Sequence, residues 1–558
     1  MRIALVQIDP LIGDFAGNLK KIVAFIEQAR SRGCDLVVFP EMALIGYPPR
    51  DLLDKPSFVR ASLRSWAGIQ EASSGLGVIC GAVSENETAP GKPYRNTALF
   101  FSDGKLIAQA HKRLLPSYDV FDEERYFEPG DQAVTVDFLG ERLGLTICED
   151  VWNVANYLPR PLYHCDPVRE MREAGADTVI NISASPYHVG KVSWLSGLLR
   201  IQAAKSNQHI VYVNQVGGND ELIFQGHSMV WDPAGRLVAS GADFAEDLIV
   251  YDTKTRQGDF HHASLGPSEE VIEALVLGLR DYARKTGFKK AVVGLSGGID
   301  SALVVCLAVL ALGPENVLGV AVPGPYNPPE SLTDARELAA RLGIAFEVVP
   351  IGSLYITALD TLAPVFAGLA PDVTEENLQA RLRGLILMSL SNKFNRLLLS
   401  TSNKSEVAVG YCTLYGDMNA GLAMIGDVPK TTVYEISHTL NERYHWIPES
   451  ILTKAPSAEL RPNQTDQDTL PPYETLDAIL AAYVEKRLPA EEIVAQGWEP
   501  GLVQWVIRHV DQNEYKRWQA PPILRVTTKA FGMGRRNPIA HGYREQGGRS
   551  AAVPERAR

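Results

Sequence analysis

The stretch that most restricts the fold is Lys290–Leu312, KAVVGLSGGIDSALVVCLAVLAL, in which a short apolar run, a glycine turn and a longer apolar run follow one another. Ala291–Leu295 has the length and β-branched content of a buried strand, whereas the run from Ser301 to Leu312 is long enough for a buried helix. Gly297 and Gly298 let the backbone turn sharply and come close to a ligand. The turn opens into a helix N-terminus, where unpaired N–H groups and the helix dipole favour an anion, so the stretch suits a phosphate. It lacks the lysine of a GxxxxGK(S/T) loop, which excludes that class of nucleotide site. Asp300 inside such a cradle repels phosphates unless a divalent cation lies between them. A plain strand–turn–helix junction with Asp300 as N-cap accounts for the same residues, and the two readings stand level on this stretch alone.

A chain of 558 residues is too long for one core, so two or three domains are expected. Across residues 1–252, apolar strands at 3–7, 35–39, 78–82, 142–147, 178–182 and 210–214 alternate with amphipathic helices at 18–31, 57–72, 168–174 and 193–206. Two hairpins turn at Asp103-Gly104 and at Asp232–Gly235. The pattern is that of a layered α/β sandwich, sheets covered by helices. Residues 253–266 are polar and rich in Gly, His and Ser and read as a linker. From 267 to 545 strands at 291–295, 317–322, 345–349 and 396–400 are separated by long helices, which implies an open parallel sheet with ligands at the carboxyl ends of its strands. Residues 546–558 read as a mobile tail.

A net charge of −12 argues against a general nucleic-acid or anionic-membrane binder. Six scattered cysteines without a CxxC pair suggest neither a disulfide framework nor a zinc site. The chain begins directly on a strand without a secretory signal, and no apolar run is long enough to span a bilayer, so a cytoplasmic protein is expected.

Three strand ends carry chemistry. Cys148 follows RLGLTI, at an elbow where a following helix N-terminus is expected to lower the thiol pKa. Glu41 follows DLVVFP, and Lys112 follows the first hairpin. A carboxylate base, a thiol nucleophile and an ammonium for the oxyanion are the parts of amide hydrolysis. The segments FPE, HKRLLP and ICED, in this order and spacing, resemble the Glu-Lys-Cys signature of the nitrilase superfamily. That resemblance covers nearly all of residues 1–250 and implies an αββα sandwich, a thioester intermediate and release of ammonia from glutamine. It further implies glutamine binding by Tyr118, Ser185 and Lys191, with Glu123 as an additional acidic helper. Lys191 would hold an α-carboxylate.

In the second half, Glu406 lies beyond the strand RLLLS and, with Asp300, is expected to hold Mg²⁺ bridging ATP phosphates. Asn403 capping a helix with Glu406 in its first turn is the alternative. The segments GLSGGIDSA, ENLQARLRG, STSNKSEVAVGYCTLYGDMNAG, KAPSAELRPNQTDQD and EYKRWQAPP closely resemble the glutamine-dependent NAD⁺ synthetases. The resemblance implies a Rossmann-like domain of the adenine nucleotide α-hydrolase type. ATP would be bound by Gly294, Leu295, Ser296, Gly297, Gly298, Ile299, Asp300, Ser301 and Thr401. Deamido-NAD⁺ would be bound by Asn377, Glu406, Tyr411, Cys412, Thr413, Leu414, Asp417 and Lys516, with Lys454 and Ser457 on a loop over the phosphates. The resemblance also implies a homo-oligomer that acts on small molecules only. The basic cluster Lys516, Arg517, Lys529, Arg535 and Arg536 is expected to face a pyrophosphate. An SGGxDS-type amidotransferase acting on another carboxylate or nucleotide is the competing reading, against which ENLQAR and YKRWQAPP weigh.

Overall fold

The computed structural model describes residues 1–154, 157, 160, 162–541, 543 and 545, so the tail expected at 546–558 lies outside the described residues. Between Leu265 and Gly266 the chain divides into two compact units.

The first unit holds two large sheets. One has seven strands in the order Gln257–Gly258, Asp247–Asp252, Arg2–Gln7, Leu36–Val38, Gly77–Glu85, Tyr94–Ser102 and Lys105–His111. The other has six, Leu237–Ser240, Met229–Trp231, His209–Asn214, Thr178–Ser183, Glu141–Ile147 and Val134–Phe138. Leu5, Val38 and Phe100 of the first sheet share one apolar layer with Ile147, Ile182 and Val213 of the second. Because side chains alternate along a strand, the neighbours Val37, Val78 and Leu99 point the other way, against helices Phe15–Ser31 and Pro56–Ala72. On the far side, Val179, Ile210 and Tyr212 pack against Pro167–Glu173 and Lys191–Ser206. The result is a four-layer αββα sandwich whose strands are apolar on both faces. Asp103 and Gly104 both take positive φ, as a two-residue hairpin turn requires. Within the stretch read as a linker, Gln257–Gly258 pairs antiparallel with Tyr251–Asp252 and closes the sheet edge. Two residues, one of them glycine, leave no strand signal in the sequence.

The second unit is built on five parallel strands in the order Ala345–Val348, Val317–Ala321, Ala291–Gly294, Leu397–Ser400 and Leu422–Ala423. The first strand in sequence is central; the chain winds outward one way and then returns to wind the other. The order reverses between Ala291–Gly294 and Leu397–Ser400, and a crevice opens at the carboxyl ends of strands at such a switch point. The SGGIDS turn and the TSNKSE segment lie on its two sides. Beyond residue 470, helices Tyr473–Leu480, Ala490–Ala495 and Pro500–Gln512 enclose a satellite core of Leu476, Ile479, Val503 and Val506. No helix among the described residues is long and apolar enough to cross a membrane.

Candidate active sites

In the first unit the three expected catalytic residues are buried beside one another. Glu41 Oε1 accepts from Lys112 Nζ at 2.8 Å and from Asn96 Nδ2 at 2.6 Å, while Oε2 accepts from the Ala184 amide at 2.8 Å. Lys112 Nζ also donates to Glu123 Oε1 at 2.7 Å, and the Tyr47 hydroxyl donates to the same oxygen at 2.8 Å. The carboxylate of Glu41 is therefore fixed in orientation, and the ammonium of Lys112 is shared by two acids. Burial disfavours a charged Lys112, but Glu123 and Glu41 outweigh it and hold its pKa well above the ordinary value. Burial pushes the Glu123 carboxyl up to about 7, against the pull of Lys112 and with the help of Glu41.

Cys148 opens a four-residue 3-10 turn, Cys148–Val151, at φ 44°, so the nucleophile stands on a sharp strand-to-turn elbow. The expected lowering of its pKa is corrected by the structure. The turn is too short to supply a helix dipole, and burial followed by the charge of Glu41 raises the thiol pKa, with Lys112 opposing. Attack by this thiol thus requires its proton to leave for a neighbouring base, not a resident thiolate.

Tyr118 and Lys191 reach the same elbow by its other residues. The Tyr118 hydroxyl donates to Glu149 Oε1 at 2.8 Å, Tyr163 donates to the same oxygen at 3.0 Å, and Lys191 Nζ lies 4.7 Å from the centre of the Trp152 ring. Ser185 and Lys191 line a small recess with Tyr212 and Asn214. Asn96 and Glu149 were missed in the sequence. Asn96 is embedded in a hairpin strand with no local cue, but Glu149, a 1% exposed acid next to the nucleophile, was readable from the CED string itself.

Glu123 gives a pH dependence with a defined sign. The folded state holds this proton more tightly than the unfolded chain, so its stabilisation is complete below the ordinary carboxyl range and is lost as pH rises through about 7. Thermal unfolding of the wild-type chain is expected to lose up to about 1.4 kcal/mol per pH unit from this group across that window. Glu123→Gln should flatten that slope. Parallel stability–pH curves for the two chains would contradict the assignment.

In the second unit the crevice is lined by Gly294–Ser296, Gly298–Ser301, Thr401, Glu406, Tyr411, Thr413, Asp417, Lys454 and Ser457, among others. Gly297 has φ 77°, and a Cβ there would lie 2.4 Å from the Ser331 carbonyl oxygen, so only glycine fits. The helix Ile299–Leu312 has Gly298 at its N-cap, which places Asp300 in its first turn and not at its cap. Asn403 caps the helix Lys404–Val409 by accepting from the Glu406 amide at 3.0 Å, and its Nδ2 donates to Asp300 Oδ1 at 3.0 Å. The capping reading therefore holds for the Glu406 backbone, while its side chain turns into the site. Lys430 Nζ bonds Asp300 Oδ2 and lies 3.2 Å from Glu406 Oε1. Tyr473 donates to Asp466 at 2.8 Å and lies 3.4 Å from Glu406. Burial pushes Glu406 up to about 7, Lys430 pulls it down and Asp300 adds to the rise. Lys430 was missed because its partners Asp300 and Glu406 are distant in sequence, and Asp466 because nothing local shows that it faces the crevice.

Asn377, Cys412, Leu414 and Lys516 do not line the crevice but brace the loop that does. Asn377 accepts from Thr413 Oγ1 at 2.8 Å, Leu414 O accepts from Arg381, and Lys516 Nζ donates to the carbonyls of Gly410 and Cys412 at 2.7 and 2.9 Å. Lys454 Nζ pairs with Glu459 at 2.7 Å, and Ser457 Oγ donates to Gln464 O. The basic cluster is corrected in part. Arg517 is buried against Glu514 and the Ala408 carbonyl, and Arg535 is paired with Glu514 and Asp511, so neither offers a free charge to a pyrophosphate.

Residues 2–257 match the family model for carbon-nitrogen hydrolase, and residues 271–520 match that for NAD synthase. Over 554 residues, 98% of this chain and 99% of the relative, the sequence is 45% identical to the glutamine-dependent NAD(+) synthetase of Synechocystis sp.. The chain belongs to the glutamine-dependent NAD⁺ synthetases. A second member of the family, from Thermotoga maritima, is 42% identical over 590 residues, covering 98% of this chain and 99% of its own. The structure of glutamine-dependent NAD⁺ synthetase from Acinetobacter baumannii in complex with adenosine diphosphate aligns with a TM-score of 0.77 at 39% identity, over 98% of this chain and 99% of that one. The family and the two-part α/β architecture expected from FPE, HKRLLP, ICED and SGGIDS are thus both borne out.

Proposed function

We infer that the chain converts deamido-NAD⁺ to NAD⁺, drawing ammonia from glutamine and energy from cleavage of ATP to AMP and pyrophosphate. The reading rests on one joint observation: a buried Glu41–Lys112 pair beside a cysteine elbow in one unit, and an acid-lined crevice at a switch point in the other.

In the first unit Glu41 takes the Cys148 proton as sulfur attacks the glutamine amide carbon, and the Lys112 ammonium donates to the oxyanion. Glu41 returns that proton to the leaving ammonia, then draws one from the water that attacks the thioester; the C–S bond breaks, glutamate is released and Glu41 gives the proton back to the Cys148 sulfur. Glu149, held by Tyr118 and Tyr163, supplies an anionic partner for the substrate ammonium, and Lys191 supplies a cation for its carboxylate.

In the second unit ATP would lie on the Gly294–Ser301 turn and Thr401, phosphates at the helix N-terminus. The nicotinate carboxylate of deamido-NAD⁺ attacks the α-phosphorus, pyrophosphate departs, and ammonia displaces AMP from the mixed anhydride. Adenylation is needed because a carboxylate has no usable leaving group. The oxygens of Asp300 and Glu406 converge on one cationic atom, Lys430 Nζ, and two converging carboxylates are the donor type Mg²⁺ takes. These two residues would hold the metal, which when bound neutralises phosphate charge. Tyr411, Thr413 and Asp417 would face deamido-NAD⁺ from the crevice wall, with Asn377, Cys412, Leu414 and Lys516 bracing that wall from behind, and Lys454 and Ser457 would carry the loop over the phosphates. A homo-oligomer and a cytoplasmic location belong to the same proposal. ATP–pyrophosphate exchange that requires deamido-NAD⁺ tests it.

A further inference from the structure

Asp150 takes no part in the chemistry above, yet it is 2% exposed and its carboxylate accepts three backbone hydrogen bonds. Oδ2 accepts from the Ile147 amide at 2.9 Å, and Oδ1 accepts from the amides of Arg113 and Leu114 at 3.0 and 2.9 Å. Ile147 immediately precedes Cys148; Arg113 and Leu114 immediately follow Lys112. One side chain therefore joins the backbone of the nucleophile elbow to the backbone of the oxyanion donor, two segments far apart in the sequence. The elbow needs such a hold. Cys148 has φ 44°, a conformation that a non-glycine residue keeps only where its surroundings over-determine it. Lys112 is pinned at its tip by Glu41 and Glu123, and Asp150 fixes the main chain from which that side chain springs.

We propose that Asp150 is a positioning residue of the glutaminase reaction, a clamp that sets the placement of the Cys148 thiol relative to the Lys112 ammonium. Only a carboxylate presents acceptors on both sides: an amide in its place satisfies the donors on one side and turns its own N–H₂ against those on the other.

The proposal rests on Cys148 being the nucleophile, so the test separates the two. The full-length chain, Cys148→Ala and Asp150→Asn are each assayed for NAD⁺ synthesis with glutamine and with ammonium. Asp150→Asn is expected to lower the glutamine-supported kcat about 100-fold, the scale of a small misplacement of reacting groups, with KM for glutamine within about threefold and the ammonium-supported rate unchanged. A wild-type kcat with glutamine in Asp150→Asn, or a rise in KM alone, overturns the clamp while Cys148→Ala still lacks glutamine-supported synthesis. Should Cys148→Ala keep that synthesis, the nucleophile assignment fails and the clamp falls with it. Where thermal unfolding shows that the Asn chain does not fold, Asp150→Ser, smaller and without an amide N–H, replaces it. Loss of folding in both overturns positioning in favour of a purely structural role.

Discussion

Cys148→Ala is expected to lose glutamine-supported NAD⁺ synthesis by at least about 10⁴-fold while keeping synthesis from ammonium at the wild-type rate. The size follows from the role: without sulfur no thioester forms, and Glu41 and Lys112 alone retain only the modest catalysis of an oriented base and an oxyanion donor. Selectivity follows from the proposed assignment, which gives ATP-dependent activation to residues of the second unit and the nucleophile to the first, with the chain divided between Leu265 and Gly266. The substitution removes one buried sulfur and leaves a void no larger than a methyl group, at a cost of about 1 kcal/mol, too little to unfold the chain. Rates with each nitrogen source, with glutamate release measured alongside, check it. Equal loss with glutamine and ammonium in a folded chain would refute the division of labour.

Asp300→Asn is expected to have the complementary effect: synthesis from both nitrogen sources falls by about 10³-fold, and hydrolysis of glutamine persists. In the structure Asp300 receives Asn403 Nδ2 on one oxygen and Lys430 Nζ on the other. An amide satisfies one of these donors and opposes the other, and it deprives the buried Lys430 of one of its two carboxylate contacts. It also removes one of the two acids that would hold Mg²⁺. Purified Asp300→Asn assayed for NAD⁺ and for glutamate checks the prediction; NAD⁺ synthesis within tenfold of wild type would rule out the role given to this carboxylate.

Much of this was legible because strand–turn–helix units carry their chemistry at their ends. Glu41, Cys148 and Asp300 each follow an apolar strand, so the sequence shows both the strand and the residue it delivers. Strand boundaries were read to within a residue or two where both faces are buried, as at Thr178–Ser183 and Leu397–Ser400. What escaped depends on long-range pairing. Lys430 sits in DVPKTT with nothing local to mark it, and its partners Asp300 and Glu406 lie 130 and 24 residues away. The Cys148 pKa was misjudged because sequence shows that a turn follows but not that it is a single 3-10 turn, nor that burial outweighs any dipole. Arg517 and Arg535 read as available to a pyrophosphate because Glu514 and Asp511, which neutralise them, look like plain surface residues in one dimension.

The central claim is that the second unit activates the carboxylate of a dinucleotide by adenylation. Exchange of radiolabelled pyrophosphate into ATP, measured on the full chain without any nitrogen donor, addresses it most directly. The account predicts exchange only when deamido-NAD⁺ is present, preserved in Cys148→Ala and absent in Asp300→Asn. Exchange that proceeds without deamido-NAD⁺, or that another carboxylate supports equally well, would contradict it.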